Sequence, residues 1–476
     1  MATNIKFGTD GWRAVIADDF TFENVRVCAQ AVASYLVDAK VADKGLVVGY
    51  DTRFASEDFA AATAEVVAGN GIRVYLCDRP APTPTISHAI LEKKAGGAVV
   101  ITSSHNPAIW NGFKVKPEYA GSASPEIIAI LEQNIGRIQA GHENVKEAKL
   151  SEALQEERVV KFDPAPAYLR HLVSLVDVED IKTAGITVAV DAMFGSGMGY
   201  FPAILAGGST RVIEINNTRN PLFPGMHNPE PIEHNLAALT AAIAQNHADI
   251  GLANDGDADR VGMMDENGRF VNQLQVYALL LLYLLEVRGQ RGPIVKTVTT
   301  TAMARKLAAK YNIPVYETPV GFKYVGPKMM ETGAIMGGEE SGGFGFAGHV
   351  PERDGILAGL FLLDLVVKLK KSPSQLVEYL FSLVGPHYYD RIDIGLPADQ
   401  RDAIWTRVKE SKPKEIAGLK VTSIDTLDGF RYILEDGSWL LVRFSGTEPL
   451  VRIYTETTDH EKVQAILADG RKIAGL

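Results

Sequence analysis

Short β-branched runs alternate with longer helical patterns along most of this 476-residue chain, and the alternation starts afresh three times. Leu46–Tyr50, Val74–Cys77 and 98–101 read as buried strands, separated by Ala-rich stretches such as 59–68. The rhythm resumes at 186–190, Arg211–Ile215 and 249–253, and again at 293–298, 313–316 and 334–336. Strand–helix alternation of this kind calls for α/β units with mixed, mostly parallel sheets. Three restarts predict three similar α/β domains. The tail breaks the rhythm: runs at 391–394, 419–424, Phe430–Leu434 and Trp439–Phe444, parted by turns such as Asp436-Gly437, precede a helix at 460–474. That pattern predicts a C-terminal α+β domain. The expected division is an α/β domain over 1–150, a second over 160–262, a third over 263–373 and the α+β domain over 380–476. The polar stretch 139–161 and the segment 370–374 are the expected linkers.

Composition narrows the function classes. With 46% hydrophobic and 22% charged residues, the chain has the balance of a folded soluble protein. The longest apolar run, 276–285, is half of what a membrane span requires, and residues 1–7 lack the apolar centre of a signal peptide. Cys28 and Cys77 have no partner spacing for a metal or a disulfide, and read as small buried hydrophobes in a reducing compartment. A cytoplasmic location is expected. The formal charge of −10 argues against a nucleic-acid partner, because phosphate backbones call for a basic face. An acidic chain can still hold a small anion by clustering a few Arg and Lys, which makes arginines in Gly-rich loops the ones to find.

Four loops carry such residues. Thr102-Ser103-Ser104-His105-Asn106-Pro107 follows the strand ending at Ile101. Ligands gather at the carboxyl ends of parallel strands, and two hydroxyls beside an imidazole can present a nucleophile there. Spacing alone does not choose Ser104 over Ser103, nor does it distinguish the loop from a polar cap. A Ser–His hydrolase is disfavoured by the lack of a Gly-x-Ser-x-Gly elbow. In Asp255-Gly256-Asp257-Ala258-Asp259-Arg260, three alternate carboxylates repel one another unless a cation sits between them. Removing one should therefore ease the metal-free protein. Oxygen ligands point to Mg²⁺ or Ca²⁺. Glu266 falls at position twelve of an EF-hand counted from Asp255, but Arg260 stands where that loop needs Gly, and an Asn267-Gly268 hairpin turn follows. Gly337-Gly338-Glu339-Glu340-Ser341-Gly342-Gly343 offers carboxylates and a hydroxyl suited to sugar hydroxyls. The Gly-x-Gly-x-x-Gly spacing of Gly343, Gly345 and Gly348 is accidental, since Pro351 bars an immediate helix. Finally, Arg443-Phe444-Ser445-Gly446-Thr447-Glu448-Pro449, with Arg452 beyond, reads as a phosphate clamp of guanidinium forks and backbone amides.

Together the four loops, in this order, resemble the α-D-phosphohexomutase superfamily (phosphoglucomutase/phosphomannomutase), as do Phe7-Gly8-Thr9-Asp10-Gly11-Trp12-Arg13 and Gly49-Tyr50-Asp51-Thr52-Arg53. The resemblance covers essentially the whole chain. It implies four domains around a central cleft that holds the active site. It implies that hexose 1-phosphate and hexose 6-phosphate, glucose favoured and mannose next, interconvert through a phosphoserine and a bound hexose 1,6-bisphosphate. By the same resemblance Ser104 carries the phosphoryl group, and Asp255, Asp257 and Asp259 hold one Mg²⁺ per subunit with a phosphoserine oxygen. Arg13, Lys114 and Arg260 line the transfer site, with His105 and Lys114 both open as acid or base. Glu339 and Ser341 grip sugar hydroxyls. Arg443, Ser445, Gly446, Thr447 and Arg452 hold the phosphate already present, and Lys323 and Arg353 make further substrate contacts. The expected partners are thus small sugar phosphates, with monomer and homo-oligomer both open. Two positions depart from the pattern. Ala14 stands where many members have Gly, and Gly343 where the phosphomannomutase and phosphoglucosamine mutase branches place His. Glu339-Glu340-Ser341 looks more like phosphoglucomutases, whereas 255–260 looks more like the dual-specificity branch. A hexose-bisphosphate synthase on the same scaffold and a non-catalytic sugar-phosphate binder are the alternatives.

Overall fold

A computed structural model describes residues 4–8, 10–445 and 450–476. In the first domain β1 (Trp12–Val15), β2 (Leu46–Tyr50), β3 (Val74–Cys77), β4 (Gly97–Ile101), β5 (Trp110–Pro117) and β6 (Val159–Phe162) form one sheet, ordered β1-β5-β4-β2-β3-β6. Strands β2 and β4 are buried along their whole length, as expected when helices cover both faces of a parallel sheet. The second sheet holds β7 (Thr187–Asp191), β8 (Arg211–Ile215), β9 (Ile250–Asn254), β10 (Val261–Met264) and β11 (Phe270–Val271), ordered β11-β10-β9-β7-β8. The third holds β12 (Ile294–Thr297), β13 (Val315–Thr318), β14 (Met336–Gly338) and β15 (Phe344–Phe346), ordered β13-β12-β14-β15. The last domain is an antiparallel sheet of β16 (Tyr388–Gly395), β17 (Glu415–Ile416), β18 (Leu419–Asp425), β19 (Phe430–Leu434), β20 (Trp439–Phe444) and β21 (Leu450–Thr457).

A repeat that no residue pattern reveals now becomes visible. In each α/β sheet a set of parallel strands is extended by an antiparallel return strand: β5 beside β4, β10 beside β9, β15 beside β14. The connection into each return strand is one of the candidate loops, at 102–109, 255–260 and 339–343.

The expected boundaries shift in three places. The stretch 139–161 is no linker, for it contains the helix Leu150–Gln155 and most of β6, which pairs with β3. Its polar composition reflects an edge strand with only Val159 fully buried. The second sheet runs on through β11, past the expected end at 262, because the Asn267-Gly268 turn folds it back. The segment 370–374 is a tight junction at which Ser372 and Gln375 form a capping box, and the helix Pro373–Val384 it starts buries Leu376, Leu380 and Val384 in the core of the third domain. Strands β13 and β14 begin two residues later than expected, β14 continuing into Gly337 and Gly338.

One continuous apolar core unites the second and third domains, whereas the first and last have their own. The run 276–285 lies within this shared core as the helix Gln273–Leu282 and a following π turn, buried on every side, which explains why it shows no polar face. Among the described residues no helix is long and apolar enough to cross a membrane.

Where helices Thr83–Lys93 and Ala165–Leu175 meet the loop before residue 354, three imidazoles stack: His88 on His171 at 4.7 Å and His171 on His349 at 5.1 Å between centroids. His171 Nε2 and His349 Nδ1 share a 3.0 Å hydrogen bond, and Asp354 closes the column 2.7 Å from His349 Nε2 while accepting from the Tyr168 hydroxyl. Burial, with His171 and His349 adding like charge, holds His88 at about 4, below the ordinary 6.5. The unfolded chain therefore binds more protons between those values, so stability is present above about 6.5 and lost as pH falls towards about 4. The melting temperature should drop across that window, and His88→Phe, which keeps a ring but not the titration, should flatten the drop in calorimetric scans. An unchanged slope in that variant would remove His88 from the account.

Candidate active site

The loop at 102–109 is built around Arg53, whose side chain is fully buried. Its guanidinium donates to the carbonyls of Ser104 and Asn106 at 2.6 Å and of Pro107 and Trp110 at 3.0 Å. Asp51 balances that charge at 3.2 Å and accepts from the Thr102 hydroxyl at 2.6 Å. This hub holds Ser104 at φ 50, a left-handed conformation that costs a non-glycine residue of order 1 kcal/mol. The result is a directed side chain. Ser104 Oγ donates to Asp255 Oδ2 at 2.7 Å and lies 3.3 Å from His105 Nδ1. Ser103 Oγ is buried with no hydrogen-bond partner among the described residues.

Asp255, Asp257 and Asp259 are fully buried and bring carboxylate oxygens within 4.8 Å of one another. A Cβ at Gly256 would come 2.5 Å from the Ser104 carbonyl, so glycine there lets the two loops touch. Lys114 reaches across from β5, its Nζ 2.8 Å from Asp10, 2.7 Å from Asp257 and 3.2 Å from Asp259. Burial alone would raise Asp257, but Lys114 and the Thr83 hydroxyl, 2.5 Å away, bring it well below the carboxylate range. Burial and the charges of Asp259 and Asp257 push Asp255 the other way, well above that range. Asp257 Oδ1 and Asp259 Oδ1 have no hydrogen-bond partner among the described residues. Two orphaned, buried carboxylate oxygens are expensive in a dry interior unless a cation takes them. Their hard oxygen chemistry suits a divalent ion such as Mg²⁺. The triad could hold a metal.

Cations ring this cluster. Arg260 Nη1 binds Glu230 at 2.9 Å and its Nε lies 4.0 Å from Asp255 and 3.9 Å from Asp259. Arg13 donates to Asn106 Oδ1 at 2.6 Å. Arg353 pairs with Asp259 at 2.9 Å and with Asp10. Burial, reinforced by Arg260 and Arg13, keeps His105 well below the ordinary imidazole value. For Lys114 burial works downward, but its three carboxylates outweigh it and the amine moves up.

The adjacent glutamates of the third loop face opposite ways. Glu339 is buried, accepts from the Gly321 amide at 2.9 Å and lies 3.7 Å from Arg353. Glu340 instead accepts from the Tyr389 hydroxyl at 2.5 Å and from Arg391 at 3.0 Å, both on β16. Ser341 sits half-buried between them and Gly342, whose carbonyl accepts from the Val261 amide at 3.0 Å. Lys323, in the first turn of the helix Phe322–Thr332, reaches the Gly8 carbonyl at 3.4 Å. On the last domain Arg443, near the end of β20, stands opposite Arg452 of β21. Arg443 Nε donates to Asp428 at 2.9 Å, Arg452 pairs with Asp393 at 3.3 Å, and Ser445 is buried with its amide on the Leu450 carbonyl. Gly446 and Thr447 lie outside the described residues.

Residues 4–142, 166–268 and 272–384 match α/β/α domains I, II and III of phosphoglucomutase/phosphomannomutase, and 404–473 match its C-terminal domain. The chain belongs to this family. A phosphoglucomutase/phosphomannomutase of Thermococcus kodakarensis is 33% identical over 98% of both chains. A phosphoglucosamine/phosphogalactosamine mutase of Sulfurisphaera tokodaii is 28% identical, again over 98% of each. The crystal structure of a Thermus thermophilus protein assigned as a phosphomannomutase superposes over the whole of both chains with a TM-score of 0.86 at 34% identity. The phosphoglucomutase/phosphomannomutase family consists of isomerases that act as intramolecular phosphotransferases, and this chain is a phosphohexomutase.

Within this phosphohexomutase, Ser104, His105, Arg13, Lys114, Arg260, the three aspartates, Arg353 and Glu339 gather in one place. Arg443, Ser445 and Arg452 stand apart from it, joined through Asp428, which also accepts from the Val320 amide at 2.8 Å. Sequence reasoning gave no role to Asp10, Arg53, Lys116 or Glu352. Lys116 and Glu352 form a fully buried 2.5 Å pair that ties β5 to the loop bearing Arg353, with Asp10 3.2 Å from the lysine. The signal was present: Lys114 and Lys116 alternate on a strand leading out of an apolar sheet, and buried lysines are almost always paired.

Proposed function

We propose that this phosphohexomutase interconverts hexose 1-phosphate and hexose 6-phosphate, glucose favoured, through a phosphoserine at Ser104 and a bound hexose 1,6-bisphosphate. The observation that carries the reading is the Ser104 hydroxyl directed at Asp255 inside a buried ring of arginine and lysine. Mg²⁺ held by Asp255, Asp257, Asp259 and a phosphoserine oxygen would neutralise charge on the transferring group. In the first transfer a sugar hydroxyl gives up its proton as its oxygen attacks the phosphorus, the bond to Ser104 Oγ breaks and the serine oxygen takes a proton. In the second the serine gives up its proton and attacks the other phosphate of the turned-around bisphosphate, the bond from that phosphorus to the sugar oxygen breaks, and the sugar oxygen takes a proton. Between them Arg13, Arg260 and Lys114 spread the charge of the three equatorial oxygens. His105, beside Ser104 Oγ and kept neutral by burial and its cationic neighbours, suits the proton transfer. Lys114, held by three carboxylates, is suited to remain a cation. Glu339 and Ser341 bind sugar hydroxyls, Lys323 and Arg353 support them, and the loop at 443–452 holds the phosphate not in transfer. The buried thiols of Cys28 and Cys77 fit a cytoplasmic setting.

Glucose is favoured because Glu339-Glu340-Ser341 and Gly343 resemble the phosphoglucomutases, and a side chain at position 343, where the mannose and glucosamine branches place histidine, would come 2.3 Å from Arg353 Cδ and require that arginine to shift. A panel of glucose, mannose and glucosamine 1-phosphates, with and without added glucose 1,6-bisphosphate, should show glucose 1-phosphate turned over fastest. A clear preference for glucosamine 1-phosphate would overturn the substrate, and net accumulation of bisphosphate would overturn the mutase reading in favour of a synthase.

A further inference from the structure

A single carboxylate oxygen of Asp428 joins two parts of the molecule. Asp428 Oδ2 accepts from Arg443 Nε at 2.9 Å within its own domain and from the Val320 amide of the third domain at 2.8 Å. The next amide, Gly321, donates to Glu339, which faces Arg353 and through it Asp259. The bonded path thus runs from the phosphate-clamp arginine to the sugar loop and on to the acidic cluster. The turn that carries Asp428 is pressed onto β20. Gly429 sits at φ 98, and a Cβ there would come 2.7 Å from the Val442 carbonyl. That contact fixes the carboxylate beside the arginine. Both side chains are largely enclosed.

We propose that Asp428 is a positioning residue for the anchored phosphate: by taking the Nε–H of Arg443 it turns the two terminal NH₂ groups of the guanidinium towards the ligand, and by taking the Val320 amide it sets their distance from the sugar loop. The proposal rests on the reading that Arg443 holds the phosphate not in transfer. A guanidinium is a rigid planar fork of five donors, so engaging one edge determines where the other points. Simple electrostatics gives the opposite expectation, because a carboxylate next to a phosphate site repels the phosphate. Orientation and repulsion therefore differ in sign, and a substitution separates them.

The test measures turnover and calorimetric binding of glucose 1-phosphate and of inorganic phosphate for Asp428→Asn, Asp428→Ala, Arg443→Ala and the Asp428→Ala/Arg443→Ala double variant. Arg443→Ala should weaken binding about tenfold to a hundredfold, the worth of one charge-assisted hydrogen bond. Asp428→Ala should raise KM about tenfold with kcat within about threefold, and Asp428→Asn should recover part of the loss. The double variant should bind no more weakly than Arg443→Ala alone, because the aspartate acts through the arginine. Tighter or unchanged binding in Asp428→Asn and Asp428→Ala would overturn the proposal, as would losses that simply add, which would make Asp428 a staple between domains. Normal binding by Arg443→Ala would instead overturn the clamp itself, a different failure.

Discussion

Ser104→Ala should lose at least about a thousandfold in turnover while still binding glucose 1-phosphate, because it removes the atom proposed to accept the phosphoryl group and little else. Purified wild-type protein should carry phosphate on Ser104 by peptide mass mapping, with none on Ser103. Ser103→Ala is the matched control. Its hydroxyl is buried without a partner among the described residues, so deleting it relieves an unsatisfied group and should leave activity within about twofold. Phosphate confined to Ser103, or wild-type turnover in Ser104→Ala, would overturn the assignment. The left-handed backbone at Ser104 sharpens the contrast, since the four carbonyls gripped by Arg53 hold that conformation whatever the side chain.

Asp257→Ala should abolish phosphoryl transfer, chelation of Mg²⁺ from the wild-type enzyme should do the same, and the variant should retain weak sugar-phosphate binding through the last domain. Its effect on the metal-free fold differs from the expectation of mutual repulsion. Asp257 is the member of the triad that Lys114 and Thr83 hold as a carboxylate, so its loss should cost about 1.5–3 kcal/mol of metal-free stability. Relief of repulsion belongs to Asp255, whose charge burial and its two acidic neighbours oppose, and Asp255→Asn should leave the metal-free protein more stable than wild type. Denaturant titrations of both variants with a chelator present give the two signs directly. Activity indifferent to chelation would overturn the metal reading, and stabilisation by Asp257→Ala would reverse the charge assignment.

The parallel strands were legible because a strand buried on both faces is written as an unbroken apolar run, and Leu46–Tyr50 falls where its residues place it. Arg211–Ile215 and Phe430–Leu434, rich in β-branched and aromatic residues, do so too. The return strands were not. β5 carries two lysines, β10 has four residues and β15 reads Phe-Gly-Phe, so none shows a clean period. Their identity comes from pairing with a neighbouring strand, which a local pattern does not record. The site followed the same division. Hydroxyls, carboxylates and arginines clustered in loops announced themselves, whereas Asp10, Arg53 and Glu352 act by pairing with groups remote in sequence. What sets Ser104 apart from Ser103 is a left-handed backbone and a hydrogen bond to Asp255, and two adjacent serines look alike on paper.

The shared strand order of the three α/β domains bears on how the family changes substrate. The Ser104 loop, the acidic triad and the loop proposed to contact the sugar leave equivalent slots on three copies of one frame, each slot filled with different cargo. The frame asks only that a loop begin at the end of a parallel strand and come back along it. Residues in the third slot can then be exchanged while the first two, which meet at Gly256, keep their register. Chemistry and taste are thereby separable by inheritance, and relatives named for glucose, mannose and glucosamine phosphates are the outcome such a layout permits.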